Sequence, residues 1–140
     1  MLIDAQNQFS DAQAVTATAI GTNMLNLGST DDYAIGEPLF VDFFVDTAFT
    51  SGGAPTMIFQ IVQDTENTGG SPSVLVASAS HLKAALTVGV RVRLYLPANT
   101  QTQQYLGVQY TVGVTTYTAG KVDAFLSPVE QASETYTGEV

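Results

Sequence analysis

The stretch from 39 to 46 reads Leu39-Phe40-Val41-Asp42-Phe43-Phe44-Val45-Asp46 and alternates between two kinds of side chain. Because successive side chains of a β-strand point to opposite faces, the odd-numbered residues form an uninterrupted apolar face, which we assign to the core. The even-numbered residues form a second face that carries both carboxylates, and we predict that this face meets solvent. The stretch therefore predicts one strand of a half-buried sheet, with Phe40 and Phe44 unexplained on its wet side.

A second stretch, residues 90–96, has the same pattern with basic residues in place of acidic ones. Its inward face is Val90, Val92, Leu94 and Leu96, and its outward face is Arg91, Arg93 and Tyr95. We expect the two stretches to be neighbours, so that both arginines face Asp42 and Asp46 across the sheet. Exposed pairs of this kind contribute about 0.2–1 kcal/mol each, so we expect them to set the register more than the stability.

The rest of the chain favours strands as well. Threonine (18 residues) and valine (15 residues) dominate, and β-branched side chains fit a pleated surface better than a helix. Only residues 80–86 have helix-like content, enough for one or two turns with Ser80 as the N-cap. Alternation between turn signals predicts eight strands, at 14–20, 24–27, 38–46, 56–63, 73–79, 90–96, 105–112 and 120–126.

Eight short strands without a long helix predict an all-β, eight-stranded jelly-roll sandwich, with an immunoglobulin-like sandwich or a small barrel as alternatives. A jelly roll would place the first, eighth, third and sixth strands in one sheet and the second, seventh, fourth and fifth in the other. We predict a single domain over residues 1–140, in which residues 14–126 form the sandwich. Polar residues 1–13 and 127–140 are predicted to be N- and C-terminal arms.

Composition excludes several classes of function. The 140 residues carry a net charge of −9, which would repel nucleic acid and an anionic membrane surface. The longest apolar run, 74–77, is far shorter than the roughly 20 residues of a membrane helix, and the start of the chain lacks the features of a signal peptide. We therefore expect synthesis in a cytoplasm. No cysteine is present, so neither disulfides nor thiolate chemistry are expected.

Candidate catalytic residues are few. A Ser-His-Asp arrangement would have to use His81, the only histidine, and no nucleophile elbow accompanies it, so we interpret it as a loop histidine beside Lys83. A glycosidase needs two carboxyl groups at a set separation, and the spacing of the candidate acids gives no such signal. These acids are Glu37, Asp42, Asp46 and Asp123. We predict no catalytic site and no enzymatic activity.

Metal and cofactor sites are not predicted either. Residues 64–67, Asp-Thr-Glu-Asn, offer oxygen ligands for calcium but lack the spacing of a calcium loop and precede the glycine-rich residues 69–72. We interpret them as a solvated, mobile acidic loop. The paired glycines at 52–53 and 69–70 open no helix and precede no lysine, as a phosphate-binding loop would require.

Aromatic residues outside the strands or on their wet faces indicate a binding role, because large aromatic side chains form the centres of interfaces. We predict six partner-binding residues on this ground: Phe9, Tyr33, Phe40, Phe44, Phe49 and Tyr136.

Three stretches, in order along the chain, resemble the jelly-roll capsid cement (decoration) proteins of tailed bacteriophages. They are Met1–Thr16, Gly36–Val41 and Tyr117–Val122. The resemblance implies a structural virion protein without enzymatic activity that binds the outer surface of a phage capsid. It also implies a symmetric oligomer, a homodimer or else a trimer, that clamps neighbouring subunits of the major capsid protein.

Two other functions remain open. A carbohydrate-binding jelly-roll module or a head-fibre component would use exposed aromatics along a groove, although the chain lacks tryptophan, the residue that stacks best on sugars. The third hypothesis is an enzyme that depends on His81.

Overall fold

Alternating apolar residues form two antiparallel sheets in the computed structural model, which describes residues 5–28, 39–97 and 100–127. Single-turn 3-10 helices span Ala5–Asn7 and Lys83–Ala85, and no helix of the described ranges has the length and apolar character needed to cross a bilayer. The strands are β1 (Gln8–Ala14), β2 (Ala19–Ile20), β3 (Leu25–Asn26), β4 (Leu39–Thr50), β5 (Thr56–Asp64), β6 (Ser73–Ala77), β7 (His81–Leu82), β8 (Arg91–Leu96), β9 (Tyr105–Gly113) and β10 (Ala119–Ser127).

The strand order confirms the all-β sandwich. One sheet has the order β1-β10-β4-β8, and the other has the order β2-β9-β5-β6, with β3 also paired to β9 and β7 to β5. Strands β10, β4 and β8 are neighbours, as the eighth, third and sixth predicted strands should be, and β9, β5 and β6 are neighbours, as the seventh, fourth and fifth should be. The described ranges hold ten strand segments rather than the eight predicted, and three of them, β2, β3 and β7, are only two residues long.

The prediction for the N-terminal region was wrong. We expected residues 1–13 to be an arm and 14–20 to be the first strand, but β1 occupies 8–14 and lies beside β10, while residues 19–20 belong to the other sheet. Two register shifts interrupt the β1 pairing, and Ala12 has a left-handed φ of 44°. Such bulges break the two-residue period, so the sequence carries no alternation from which this strand could be predicted.

A polar network fixes β1 to both sheets. The buried hydroxyl of Tyr110, on β9, donates to Oγ of Ser10 over 2.8 Å, and Ser10 donates in turn to Oε1 of Gln13 over 2.7 Å. The backbone N–H of Thr22 donates to the same Gln13 oxygen over 2.9 Å. Burial raises the pKa of Tyr110, so its hydroxyl stays protonated and remains a donor. The first strand is therefore part of the fold.

The core lies between the sheets and has the composition predicted for it. Val41, Phe43 and Val45 of β4 are buried, as the alternation from 39 to 46 requires. The ring of Phe43 packs 5.0 Å from that of Phe59 and 6.0 Å from that of Tyr110, centroid to centroid. Aromatic contacts of this kind join the two sheets, and truncating one such ring to alanine typically costs about 3–5 kcal/mol.

Phe49 also belongs to the core, contrary to its assignment to a loop. Strand β4 continues beyond the predicted end at 46 to Thr50, and the ring of Phe49 packs edge-on against that of Tyr117 at 4.8 Å. The ring also lies over Gly120, where a Cβ would come within 2.3 Å of it, and Gly120 has a φ of +147°. Glycine at 120 therefore makes room for Phe49.

Residues 80–86 do not form the predicted helical turn capped by Ser80. Residues 81–82 pair with β5, and the 3-10 turn that follows begins after Leu82 without a side-chain cap. A segment this short gains little from helical hydrogen bonds, so pairing with a neighbouring strand determines its structure.

Candidate functional site

The outer face of the four-stranded sheet carries a row of aromatic and charged side chains on β4 and β8, which we call the outer ladder. Residues that lie opposite one another in an antiparallel pair share a face, so the members of the ladder project on the same side. The pairs are Phe40 with Tyr95, Asp42 with Arg93, and Phe44 with Arg91. The predicted adjacency of the two stretches is confirmed, but Arg91 lies opposite Phe44 and not opposite Asp46.

The centre of the ladder is an ion pair. Nε of Arg93 donates to Oδ1 of Asp42 over 2.7 Å, and Asp42 is fully buried, although we predicted that it would face solvent. Within the described part of the chain, Oδ2 of Asp42 has no hydrogen-bond partner. A buried carboxylate depends on its counter-ion, and removing one partner of a buried pair is strongly destabilising. Asp42 thus ties β4 to β8 in a single register.

Cation–π contacts explain the two phenylalanines on this face. The Arg93 guanidinium lies 5.8 Å from the centroid of Phe40, and that of Arg91 lies 5.7 Å from the centroid of Phe44. The ring of Tyr95 packs against Phe40 at 5.6 Å, with the two planes 60° apart. Tyr95 is 47% exposed and is the aromatic ladder residue that the six predicted partner-binding residues omit. Its predicted outward position on the strand next to that of Phe40 was the signal that could have identified it.

The six predicted partner-binding residues do not form one surface. Phe40 and Phe44 lie together in the outer ladder, whereas Phe9 and Phe49 are core residues. The predictions for Phe9 and Phe49 are therefore wrong. Tyr33 and Tyr136 lie outside the described residues, as do residues 128–140 of the predicted tail. Ser127, the first residue of that tail in our prediction, is the buried last residue of β10.

Carboxylates meet on the same sheet beside β1. Burial raises the pKa of Asp123 above its usual value, the N–H of Ala12 that donates to its Oδ1 lowers it, and the charges of Asp46 and Asp11 raise it. Glu37, another acid considered for glycoside hydrolysis, lies outside the described residues. No group of three side chains suited to a metal ion occurs in the ranges that the structure describes.

The acidic loop after β5 is tethered rather than freely solvated. Oδ2 of Asp64 accepts the N–H of Ser71 over 3.0 Å, and its Oδ1 accepts the N–H of Glu66 over 3.2 Å. The bond from Ser71 is the main cause of a pKa below the usual value for Asp64. Since Asp64 is buried and its oxygens are used by backbone N–H groups, we identify it as the anchor of residues 65–71.

His81 lies in strand β7, not in a loop. Its ring packs edge-on against Phe59 at 5.6 Å, and its backbone lies opposite Met57. Among the described residues, its buried Nε2 has no hydrogen-bond partner. This packing places the imidazole against the core.

Comparison with known proteins gives one family. No curated protein matches the chain. The model of the Bbp16 family matches residues 9–126, which include every strand from β2 to β9, the outer ladder and most of β1 and β10. The chain therefore belongs to the Bbp16 family.

Proposed function

We propose that the protein is a structural component of a bacteriophage particle that binds the outer surface of the capsid. In this role it joins neighbouring subunits of the major capsid protein and stabilises the shell. We propose further that it acts as a homodimer, is made in the host cytoplasm and reaches its place on the assembled virion. Membership of the Bbp16 family and the resemblance of three ordered stretches to capsid cement proteins support this proposal.

The outer ladder is the observation that carries the proposal. Tyrosine, phenylalanine and arginine are the residue types enriched at the centres of protein interfaces. Here they stand on two adjacent strands, and their geometry is held by an ion pair and by ring contacts within the chain. Side chains already ordered in the free protein lose little conformational entropy on docking, which favours binding.

A clamp of this kind works by adding contacts across subunit boundaries. Packaged DNA pushes the shell outward, so the boundaries between subunits are where the shell fails. A dimer that binds a subunit on each side converts its second contact into an intramolecular event with a high effective concentration. Many such clamps of modest affinity then act together.

Co-sedimentation with particles tests the proposal. The purified chain, added to phage capsids that lack it, is expected to sediment with them and to raise their melting temperature. Replacing Tyr95 with alanine should weaken binding by about tenfold or more, as expected for an aromatic interface anchor. The matched control is Val114→Ala, which truncates an exposed apolar residue on the β9–β10 turn, away from the ladder. A chain that stays in the supernatant would contradict the proposal, and binding to a glycan array would favour the carbohydrate-binding alternative.

A further inference from the structure

Acidic residues are absent from one long part of the chain. Residues 67–122 contain all four lysines and arginines and no aspartate or glutamate, whereas all thirteen acidic residues lie in 1–66 and 123–140. The strands of this segment therefore bring no carboxylate of their own to a contact with a second copy, although Asp64, which accepts the N–H of Ser71, lies close to the start of β6.

The same region presents apolar side chains to solvent. Val74 on β6 is 47% exposed, Leu82 on β7 is 62% exposed, and Val88 in the turn before β8 is 67% exposed. Strand β7 pairs with the same edge of β5 as β6 does. Strand β6, at the edge of one sheet, contacts β8, at the edge of the other. The three residues therefore lie along one side of the sandwich, which we call the β6–β8 side and define as residues 73–90.

The β6–β8 side carries one charged residue, Lys83, and its charge is used within the chain. Nζ of Lys83 donates to the carbonyl of Ser51 over 2.7 Å and to that of Gly53 over 2.9 Å. A surface with exposed aliphatic side chains and few charges has the composition that is typical of the centre of an interface.

The edge of the sheet at β6 carries no charged side chain, unlike the edges at β1 and β8. Natural edge strands are blunted by charges, bulges or short length. Edge β1 has Asp11 and two register shifts, edge β8 has two arginines, and the edge formed by β2 and β3 consists of two-residue pieces. Strand β6, Ser73–Ala77, has five uncharged residues and only one register shift.

We propose that the β6–β8 side is the contact between two copies of this chain, with β6 pairing antiparallel to β6 of the second copy. This inference rests on the homodimer proposed above and names its interface. A two-fold axis through the sheet edge makes identical strands antiparallel, so each copy offers the other the same backbone groups and the same apolar residues.

Sedimentation velocity of the free protein tests the interface without any capsid. We expect a dimer for the natural chain between about 1 and 100 μM. Val74→Lys should raise the dissociation constant of the dimer by about tenfold or more, because it places two like charges near the two-fold axis. Leu82→Lys should also raise it, because it places a charge among the apolar side chains of the contact. Val114→Lys is the matched control, since it adds the same charge at a residue that is 85% exposed and lies outside this side. Thermal melting of each variant checks that it is folded.

Hydrogen exchange provides the second measurement. Backbone N–H groups of residues 74–77 that face away from β5 should exchange more slowly at concentrations where the dimer forms, and Val74→Lys should abolish this protection. A natural chain that is monomeric at about 100 μM would overturn the interface, as would a dimer that both lysine variants leave unchanged. A dimer that fails to sediment with capsids would instead overturn the proposed function and leave the interface intact.

Discussion

The outer ladder and the β6–β8 side both contain side chains that the strand pattern directs outward, but they differ in how those side chains are partnered. In the ladder, Asp42 is neutralised by Arg93 and the two phenylalanines are covered by guanidinium groups. On the β6–β8 side, Val74, Leu82 and Val88 remain exposed and the edge of β6 ends the sheet. The comparison teaches that the side chains of the ladder are ordered by contacts within the chain before any partner binds, whereas on the β6–β8 side the proposed second copy would supply the contacts.

The largest expected effect comes from breaking the ladder at its ion pair. Asp42→Ala should lower the free energy of unfolding by about 3 kcal/mol, because it removes the counter-ion of Arg93 and the bond between β4 and β8. Val74→Lys on the other region should change the free energy of unfolding of the monomer by less than about 0.5 kcal/mol. Urea denaturation at low protein concentration compares the two. Equal losses of unfolding free energy in the two variants would contradict the distinction between the two regions.

A smaller effect is expected at the tether of the loop after β5. Asp64→Asn should lower the free energy of unfolding by about 1–2 kcal/mol at pH 7, because the charge that favours three local hydrogen bonds is lost. The pKa of Asp64 is lowered in the folded state, so its contribution is present above the unfolded pKa and is lost as the pH falls through the folded pKa. Denaturation at several pH values should therefore show the variant and the natural chain converging in acid. A difference that persists at pH 2 would refute this role.

The cation–π contact between Arg91 and Phe44, at one end of the outer ladder, should contribute still less to the free energy of unfolding. In a double-mutant cycle with Phe44→Leu and Arg91→Gln, we expect a coupling energy of about 0.5–1 kcal/mol, since the guanidinium lies 5.7 Å from the ring centroid. A parallel cycle with Val88→Ala and Arg91→Gln is the control, because Val88 lies in the turn outside the ladder. Equal coupling in the two cycles would mean that the contact with the ring adds nothing.

The smallest expected change in the free energy of unfolding is at Asp123, and it has the opposite sign. The pKa of Asp123 is raised by burial and by the charges of Asp46 and Asp11, so ionisation at pH 7 opposes folding. A group whose folded pKa is raised contributes stability below its unfolded pKa and loses it as the pH rises through the folded pKa. Asp123→Asn should therefore raise the free energy of unfolding at pH 7, by less than about 0.5 kcal/mol for a partly solvated group, and the gain should vanish below about pH 4. Destabilisation at pH 7 would show that the bond from Ala12 outweighs the repulsion.

Much of the fold could be predicted because alternation is a local signal. The inward faces of β4 and β8 follow from it, and so does the core position of Phe43, whereas the pairing of the two strands followed from the strand order of a jelly roll. Strand β1 could not be predicted, since its bulges break the period and its burial depends on Tyr110, distant in sequence. Phe49 was misplaced because Asp46 and Thr47 resemble the end of a strand, while pairing with β10 continues to Thr50.

The candidate site was predictable only in part, for a related reason. Alternation placed Phe40 and Phe44 on the outer face but could not reveal that arginines would cover them, which depends on the register between strands. The exposed residues of the β6–β8 side escaped notice because each is an ordinary aliphatic residue. Their significance comes from the absence of acids over residues 67–122, a property of the whole segment.

The pairing of β1 with β10 places Gln8 opposite Phe125. These two residues lie near the first and the last residue of the sandwich in sequence, but they are neighbours at one end of the fold. The loop at Val114 connects β9 in one sheet to β10 in the other and lies at the opposite end, where a β-branched residue has a left-handed φ of 72°. A circular permutant that joins the chain near Gln8 and Ser127 and opens it after Val114 would keep every ladder of both sheets and relieve that backbone conformation. We therefore expect the fold to tolerate new termini at the loop after β9, and a thermal melt of the permuted chain checks this.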